Sequence, residues 1–261
     1  VDFRRNGLPP YRFLVAAARL SGTLEPCRAT TAGYPEATAA PRGVAVDPQP
    51  PLPAIHDPDP APLVPPNPAA QSEPLIAVAG HHDRIVDLAT YAAAGWPGAP
   101  RRSIAREGAL DRLAQAADRL PDGFGYAVFD AWRPLALQHR IFDHFYGPGS
   151  ALEPGFVSVP SADPATPPPH LTGGTFDLTL TWLGQPLALG TAFDEFDVRA
   201  HTAAIEPEPG VERELRRLLV HSLTAVGFVP MPAEWWHLEY GTRRWAAAHR
   251  TEPRYGAAAS A

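Results

Sequence analysis

His170-Leu171-Thr172-Gly173-Gly174-Thr175-Phe176-Asp177 lies where a proline-rich loop, Ser158 to Pro169, meets the stretch Asp177-Leu178-Thr179-Leu180-Thr181-Trp182. That second stretch alternates apolar and polar residues and reads as a β-strand. The paired glycines permit a sharp approach of the backbone, so a histidine on the loop and an aspartate on the strand can converge on one point. Further on, Glu234-Trp235-Trp236-His237 has the spacing of a tight turn in which residues three apart share a side. That places a carboxylate beside a further candidate ligand. Two histidines and one aspartate meet the three N/O ligands that a catalytic zinc takes, with a fourth place kept for water. Glu234 is then free to accept a proton from water, whose pKa the metal lowers to about 7. The spacings alone leave a plainer reading open: isolated polar residues, with Asp177 capping a turn.

Outward from these segments the pattern is that of a mixed fold. Arg106 to Leu120 predicts an amphipathic helix with Leu110, Leu113, Ala117 and Leu120 on one stripe. Pro121-Asp122-Gly123 ends it and opens a short strand, Tyr126 to Phe129. Pro134 suits a first helical turn, and a second helix runs to about Tyr146 with Leu137, Ile141 and Phe145 inward. A third spans Val211 to Val226, stopped by Gly227, and a last strand lies near His237 to Tyr240. Helices and short strands mix without a regular βαβ alternation, so the class is α+β.

The 261 residues suffice for one domain with a substantial core, or a domain plus an extension. The division expected is a Pro/Ala-rich extension over 1–74, a catalytic domain over 75–250 and a tail over 251–261. Eleven of the thirty residues from Pro41 to Ala70 are proline, which excludes regular helix or central strand there and predicts a polyproline-like linker or an irregular strap. No apolar run approaches the roughly 20 residues that span a bilayer. The apolar Phe13–Ala18 run is short and bounded by Arg12 and Arg19, unlike a secretion leader, so cytoplasmic residence is expected, secretion being the alternative. All 22 basic residues are arginine, and the net charge of −6 argues against nucleic acid as partner. Cys27 is the only cysteine, which excludes an intrachain disulfide and any multi-cysteine zinc site.

These segments together resemble the VanX-type D-alanyl-D-alanine dipeptidases, relatives of zinc D,D-carboxypeptidases and of the Hedgehog signalling domain. The family pattern Ser-x-His-x-x-Gly-x-Ala-x-Asp is matched by His170, Gly173 and Asp177, and its later Glu-x-Trp-His by Glu234-Trp235-Trp236-His237. Asp130-Ala131-Trp132-Arg133-Pro134 resembles the family's Asp-Gly/Ala-Tyr-Arg-Pro, and Gly190-Thr191-Ala192-Phe193-Asp194 a further family segment. The resemblance implies a small antiparallel sheet flanked by helices and one Zn2+ per chain on His170, Asp177 and His237. It also implies Glu234 as general base, Arg133 as oxyanion stabiliser and Asp194 as the group receiving the substrate's ammonium. The substrate implied is a short peptide of the cell-wall D-Ala-D-Ala type. The alternatives are a D,D-carboxypeptidase on stem peptides, or a binding or biosynthetic protein with an altered substrate. Pro168 stands where the family has serine and Thr175 where it has alanine, which bears on substrate choice rather than on the metal.

Overall fold

In the computed structural model, which describes residues 46–58, 68–152 and 154–259, the strands fall into two sheets. β1 (Leu75–Ala77) pairs with β3 (Ile104–Arg106). The main sheet has the order β2 (Ile85–Asp87), β4 (Phe124–Asp130), β5 (Thr175–Trp182), β8 (His237–Glu239) and β7 (Val229–Pro230), with β6 (Gln185–Pro186) paired to β5. All its pairings are antiparallel except β2 with β4, which is parallel. The expectation of an antiparallel sheet is corrected at this edge. Parallel neighbours need a crossover between them, and the intervening helix Glu107–Arg119 provides it.

The helices are α1 (Pro68–Gln71), α2 (Thr90–Ala93), α3 (Glu107–Arg119), α4 (Leu135–Tyr146), α5 (Val211–Thr224) and α6 (Arg243–His249). In α3, Leu110, Leu113, Ala116 and Ala117 are buried on one stripe, and the helix ends because Leu120, before Pro121, is extended. The Arg84 guanidinium donates to the carbonyls of Ala117, Leu120, Pro121 and Phe124, satisfying the carbonyls that a helix end leaves open. α5 buries Leu215, Leu219 and Leu223 and carries Glu212 and Glu214 in its first turn, where the helix dipole favours negative charge. Both helices join β4 and β5 in the main core through Tyr126, Val128, Leu178 and Leu180. A second apolar cluster gathers Tyr91, Trp96, Leu137, Ile141 and Val157 around α4, with Phe193 and Phe196 packed against both clusters.

Residues 46–58 lie against the body. Leu52 is buried, its N–H donates to Glu206, and the carbonyls of Gln49 and Pro50 meet Arg217 and His221 of α5. Asp57 pairs with Arg244 of α6. The described part of the proline-rich stretch is thus a strap on α5 and α6. Pro68, at the end of the stretch, opens the short helix α1, which corrects the expectation of no regular helix there: a first helical turn tolerates proline because its N–H would have no partner. The Phe13–Ala18 run, Cys27, Pro41, Pro60, Pro62, Pro65 and Pro66 lie outside the described residues.

Candidate active site

Strand register builds the floor of the site. β4 shifts by one residue between Val128 and Asp130, so Asp130 stands opposite Asp177 on β5, and Asp177 stands opposite His237 on β8. A bulge of this kind re-aims side chains beside a site, and here it completes a row of three polar residues across three adjacent strands. His170 enters from a single 3-10 turn, Pro169–Thr172, ended by Gly173 at φ 76°, a left-handed conformation that suits glycine. The loop is tied to the Asp130–Pro134 corner in both directions. His170 Nδ1 donates to the Ala131 carbonyl at 2.7 Å, and the Arg133 N–H donates to the His170 carbonyl at 3.2 Å.

His170, Asp177 and His237 are all buried, and one ligand atom from each lies within 4.8 Å of the others. The tautomers follow from the partners. The Ala131 carbonyl can only accept, so His170 carries its proton on Nδ1 and turns Nε2 to Asp177 Oδ2, 3.2 Å away. His237 Nε2 points at Glu239 Oε1 at 3.2 Å, leaving Nδ1 on Asp177 Oδ1 at 3.1 Å. Each imidazole is therefore held from behind by an acceptor, the arrangement that orients metal-binding histidines. Two nitrogens and a carboxylate converging in this way fit a zinc ion by their donor chemistry. Burial alone would raise the Asp177 carboxyl, but the charges and hydrogen bonds of His170 and His237 outweigh it and hold it below the ordinary carboxylate range.

Glu234 sits at the turn before β8 with Oε2 at 3.6 Å from His237 Nδ1. Burial pushes its carboxyl up to about 8; Asp177 and Asp194 add to this, while His237 and Arg133 work against it. A buried carboxylate poised near neutrality is suited to carrying protons in both directions. Arg133 is buried as well. Nε donates to Asp130 at 2.8 Å, Nη1 to Gln138 at 2.9 Å and Nη2 to Asp177 at 3.4 Å, and the guanidinium lies 5.1 Å from the Tyr91 ring centre. The surrounding anionic groups outweigh burial and keep it charged.

Asp194 faces the same cleft from the segment between β6 and α5. Its backbone is left-handed at φ 58°, a region in which aspartate is one of the few non-glycine residues at ease. Tyr91 Oη donates to its carboxylate at 2.8 Å. The segment is fastened by Arg216, which donates to the carbonyls of Leu189, Arg199 and His201, and by Trp235 Nε1 on Thr191 Oγ1 at 2.8 Å. Trp236 meets Phe193 edge-on at 5.7 Å. The two tryptophans thus join the Glu234 turn to the Asp194 segment. All six residues singled out from the sequence line one cleft, which Phe156, Val157, Phe196 and Met231 also line.

Three contributors were not read from the sequence. Glu239, two residues beyond His237 on a strand, shares its face by simple alternation, so that signal was present. Gln138, one turn into α4, bridges Arg133 to the Ser158 carbonyl at 2.6 Å. Tyr91 lies in a four-residue helix with no pattern to single it out.

A family profile described as D-ala-D-ala dipeptidase, peptidase M15, matches residues 98–253. A D-alanyl-D-alanine dipeptidase of Synechocystis sp. is 34% identical over 176 residues, covering 55% of this chain and 71% of the relative. One of Escherichia coli K12 is 30% identical over 140 residues, 53% of this chain and 67% of the relative. One of Streptomyces coelicolor is 32% identical over 143 residues, 48% and 67%. With a matched region that takes in more than half of its residues and every side chain of the row, this chain belongs to the peptidase M15 family of D-Ala-D-Ala dipeptidases and is a metallopeptidase.

Proposed function

We propose that this protein hydrolyses D-Ala-D-Ala, or a closely similar short D-peptide, using one zinc ion held by His170, Asp177 and His237. The observation that carries the reading is the convergence of these three buried side chains, with Glu234 beside them and Arg133 on the same cleft. When bound, zinc supplies Lewis acidity that polarises the scissile carbonyl and acidifies water. Glu234, beside His237, takes the proton of the attacking water and returns it to the leaving amine. Arg133, fixed on two sides by Asp130 and Gln138, presents positive charge where the carbonyl oxygen becomes anionic. Losing a donor of that kind typically costs ~10²–10³ in rate. Asp194, fixed by Tyr91, receives the substrate's free ammonium.

Elemental analysis should find one zinc per chain, lost in His170→Ala and in His237→Ala; full retention in both removes the site. The substrate is tested by kcat/KM on D,D-, L,D- and L,L-dipeptides and on N-acetylated D-Ala-D-Ala. A charged hydrogen bond to the ammonium is worth ~1.5–3 kcal/mol, so acetylation should cost at least tenfold, and Asp194→Ala should erase most of that discrimination. Equal rates on free and blocked peptides would instead favour a carboxypeptidase on longer stem peptides.

A further inference from the structure

We infer that Tyr255–Ala258, which lies beyond the region matched by the family, is a positioning clamp that holds the His170 loop against the Asp130–Pro134 corner and thereby sets the affinity of the site for its metal. The inference rests on the proposed role of His170 as a ligand.

Ala258 bonds to both active-site segments at once. Its N–H donates to the carbonyl of Leu171, next to His170, at 2.8 Å, and its carbonyl accepts the indole N–H of Trp132, next to Arg133, at 3.1 Å. The family pattern has tyrosine at the Trp132 position. Here the indole N–H is buried, and the clamp supplies its acceptor. The segment is locked at its other end. Tyr255 is buried, its hydroxyl donates to Glu73 at 2.8 Å, and the N–H groups of Arg254 and Tyr255 both donate to the Gly241 carbonyl. Gln71 pairs with the backbone between, accepting from the Gly256 N–H at 2.6 Å and donating to the Ala257 carbonyl at 2.9 Å.

The metal-site motif is shaped to receive it. A Cβ at Gly174 would stand 2.7 Å from the Tyr255 ring and 2.2 Å from the Tyr240 carbonyl, so a side chain is excluded and the ring closes on the backbone three residues before Asp177. Apart from the clamp, the loop carrying His170 is held to its surroundings by the Ala131 and Arg133 contacts and by Arg106, which donates to Thr172 and Gly173. Among the described residues, the clamp supplies the hydrogen bond to the Leu171 carbonyl, and it joins the same two segments that the His170–Ala131 bond joins from the cleft side. Freeing it lets the imidazole move against Asp177 and His237. Loss of the groups that orient a metal-binding histidine typically costs 10–100-fold in affinity.

The test is zinc affinity, measured by competition with a chromophoric chelator at 25 °C, on the full chain, on a chain ended after Ala257, and on Ala258→Pro, which removes the N–H given to Leu171 while keeping the carbonyl that Trp132 uses. Thermal melts of the metal-free proteins run in parallel. The expected result is at least a tenfold loss of affinity in the shortened chain and a severalfold loss in Ala258→Pro, with the melt of the latter close to that of the parent. Affinities within twofold of the parent in both overturn the clamp. If the shortened chain does not fold, Ala258→Pro decides alone. A parent that binds no zinc overturns the metal reading itself, a different outcome from a parent that binds zinc and is indifferent to the clamp.

Discussion

Replacing Glu239 separates the charge behind His237 from the shape behind it. The buried carboxylate accepts from His237 Nε2 at 3.2 Å, pairs with Arg244 Nε at 3.0 Å and accepts from the Thr242 hydroxyl. In Glu239→Gln the amide oxygen can still face His237 and Arg244, both donors, while the NH2 group turns to Thr242, whose oxygen also accepts. Geometry is kept and the negative charge is lost. The imidazole becomes a weaker ligand, and zinc affinity should fall about tenfold, which is ~1.4 kcal/mol. Glu239→Ala removes the acceptor altogether. Arg244 retains Asp57, but the buried His237 donor is orphaned, at ~1–3 kcal/mol of stability, and affinity should fall about 100-fold as the ring loses its orientation. Chelator competition measures the first quantity and thermal unfolding the second. At ~2–4 °C per kcal/mol for a chain of this size, the alanine variant melts several degrees lower while the glutamine variant barely moves. Glu239→Gln binding zinc within twofold of the parent would refute the idea that this carboxylate tunes the ligand.

Glu234→Gln should retain zinc and fold while losing ~10²–10⁴ in turnover; activity within a few fold of the parent assigns the base elsewhere. In the metal-free protein, burial works against a charge on His237, but hydrogen bonds to Asp177 and Glu239 outweigh it and push the imidazole up to about 10. Zinc must therefore displace a proton at neutral pH, so its apparent affinity rises from pH 6 to pH 9. Calorimetric titration in buffers of different ionisation enthalpy should detect at least one proton released per zinc at pH 7, and no release would contradict the assignment. Deleting residues 1–58 exposes the face that Leu52 covers, at ~1.5–3 kcal/mol, or roughly 3–12 °C in melting temperature. Zinc binding should survive, and a chain without a cooperative melt would make the strap integral to the fold.

The long helices were legible because apolar residues recur at helical spacing: Leu110 and Leu113 in α3, Leu215, Leu219 and Leu223 in α5. The convergence of His170, Asp177, Glu234 and His237 was open to reading because they lie in two short segments whose spacing restricts how they can meet. Other features leave little local trace. β4 is buried along its whole length, so it lacks the alternation that would mark its ends, and it extends beyond the Tyr126–Phe129 expected. β2 is three residues long, too short for any periodicity, and its parallel pairing depends on the path of α3. The bulge that swings Asp130 opposite Asp177 is a property of the pairing and is invisible in either strand alone. The hydrogen bond from Tyr91 to Asp194 and the reach of Ala258 to Leu171 depend on tertiary closure across most of the chain.

The site divides into a floor and a roof of different origin. Asp130, Asp177 and His237 come from strands whose register is fixed by the core, whereas Phe156, Val157, Phe196 and Met231 come from connections between elements. Exchanging a side chain among these four removes none of the residues assigned to the metal or to proton transfer, so bond cleavage and the choice of side chain can change separately. For engineering, this makes the roof the place to look for new selectivity. Libraries confined to residues 156, 157, 196 and 231 should retain hydrolytic members that differ in the peptides they accept, while even conservative exchanges in the floor row should yield mostly inactive ones.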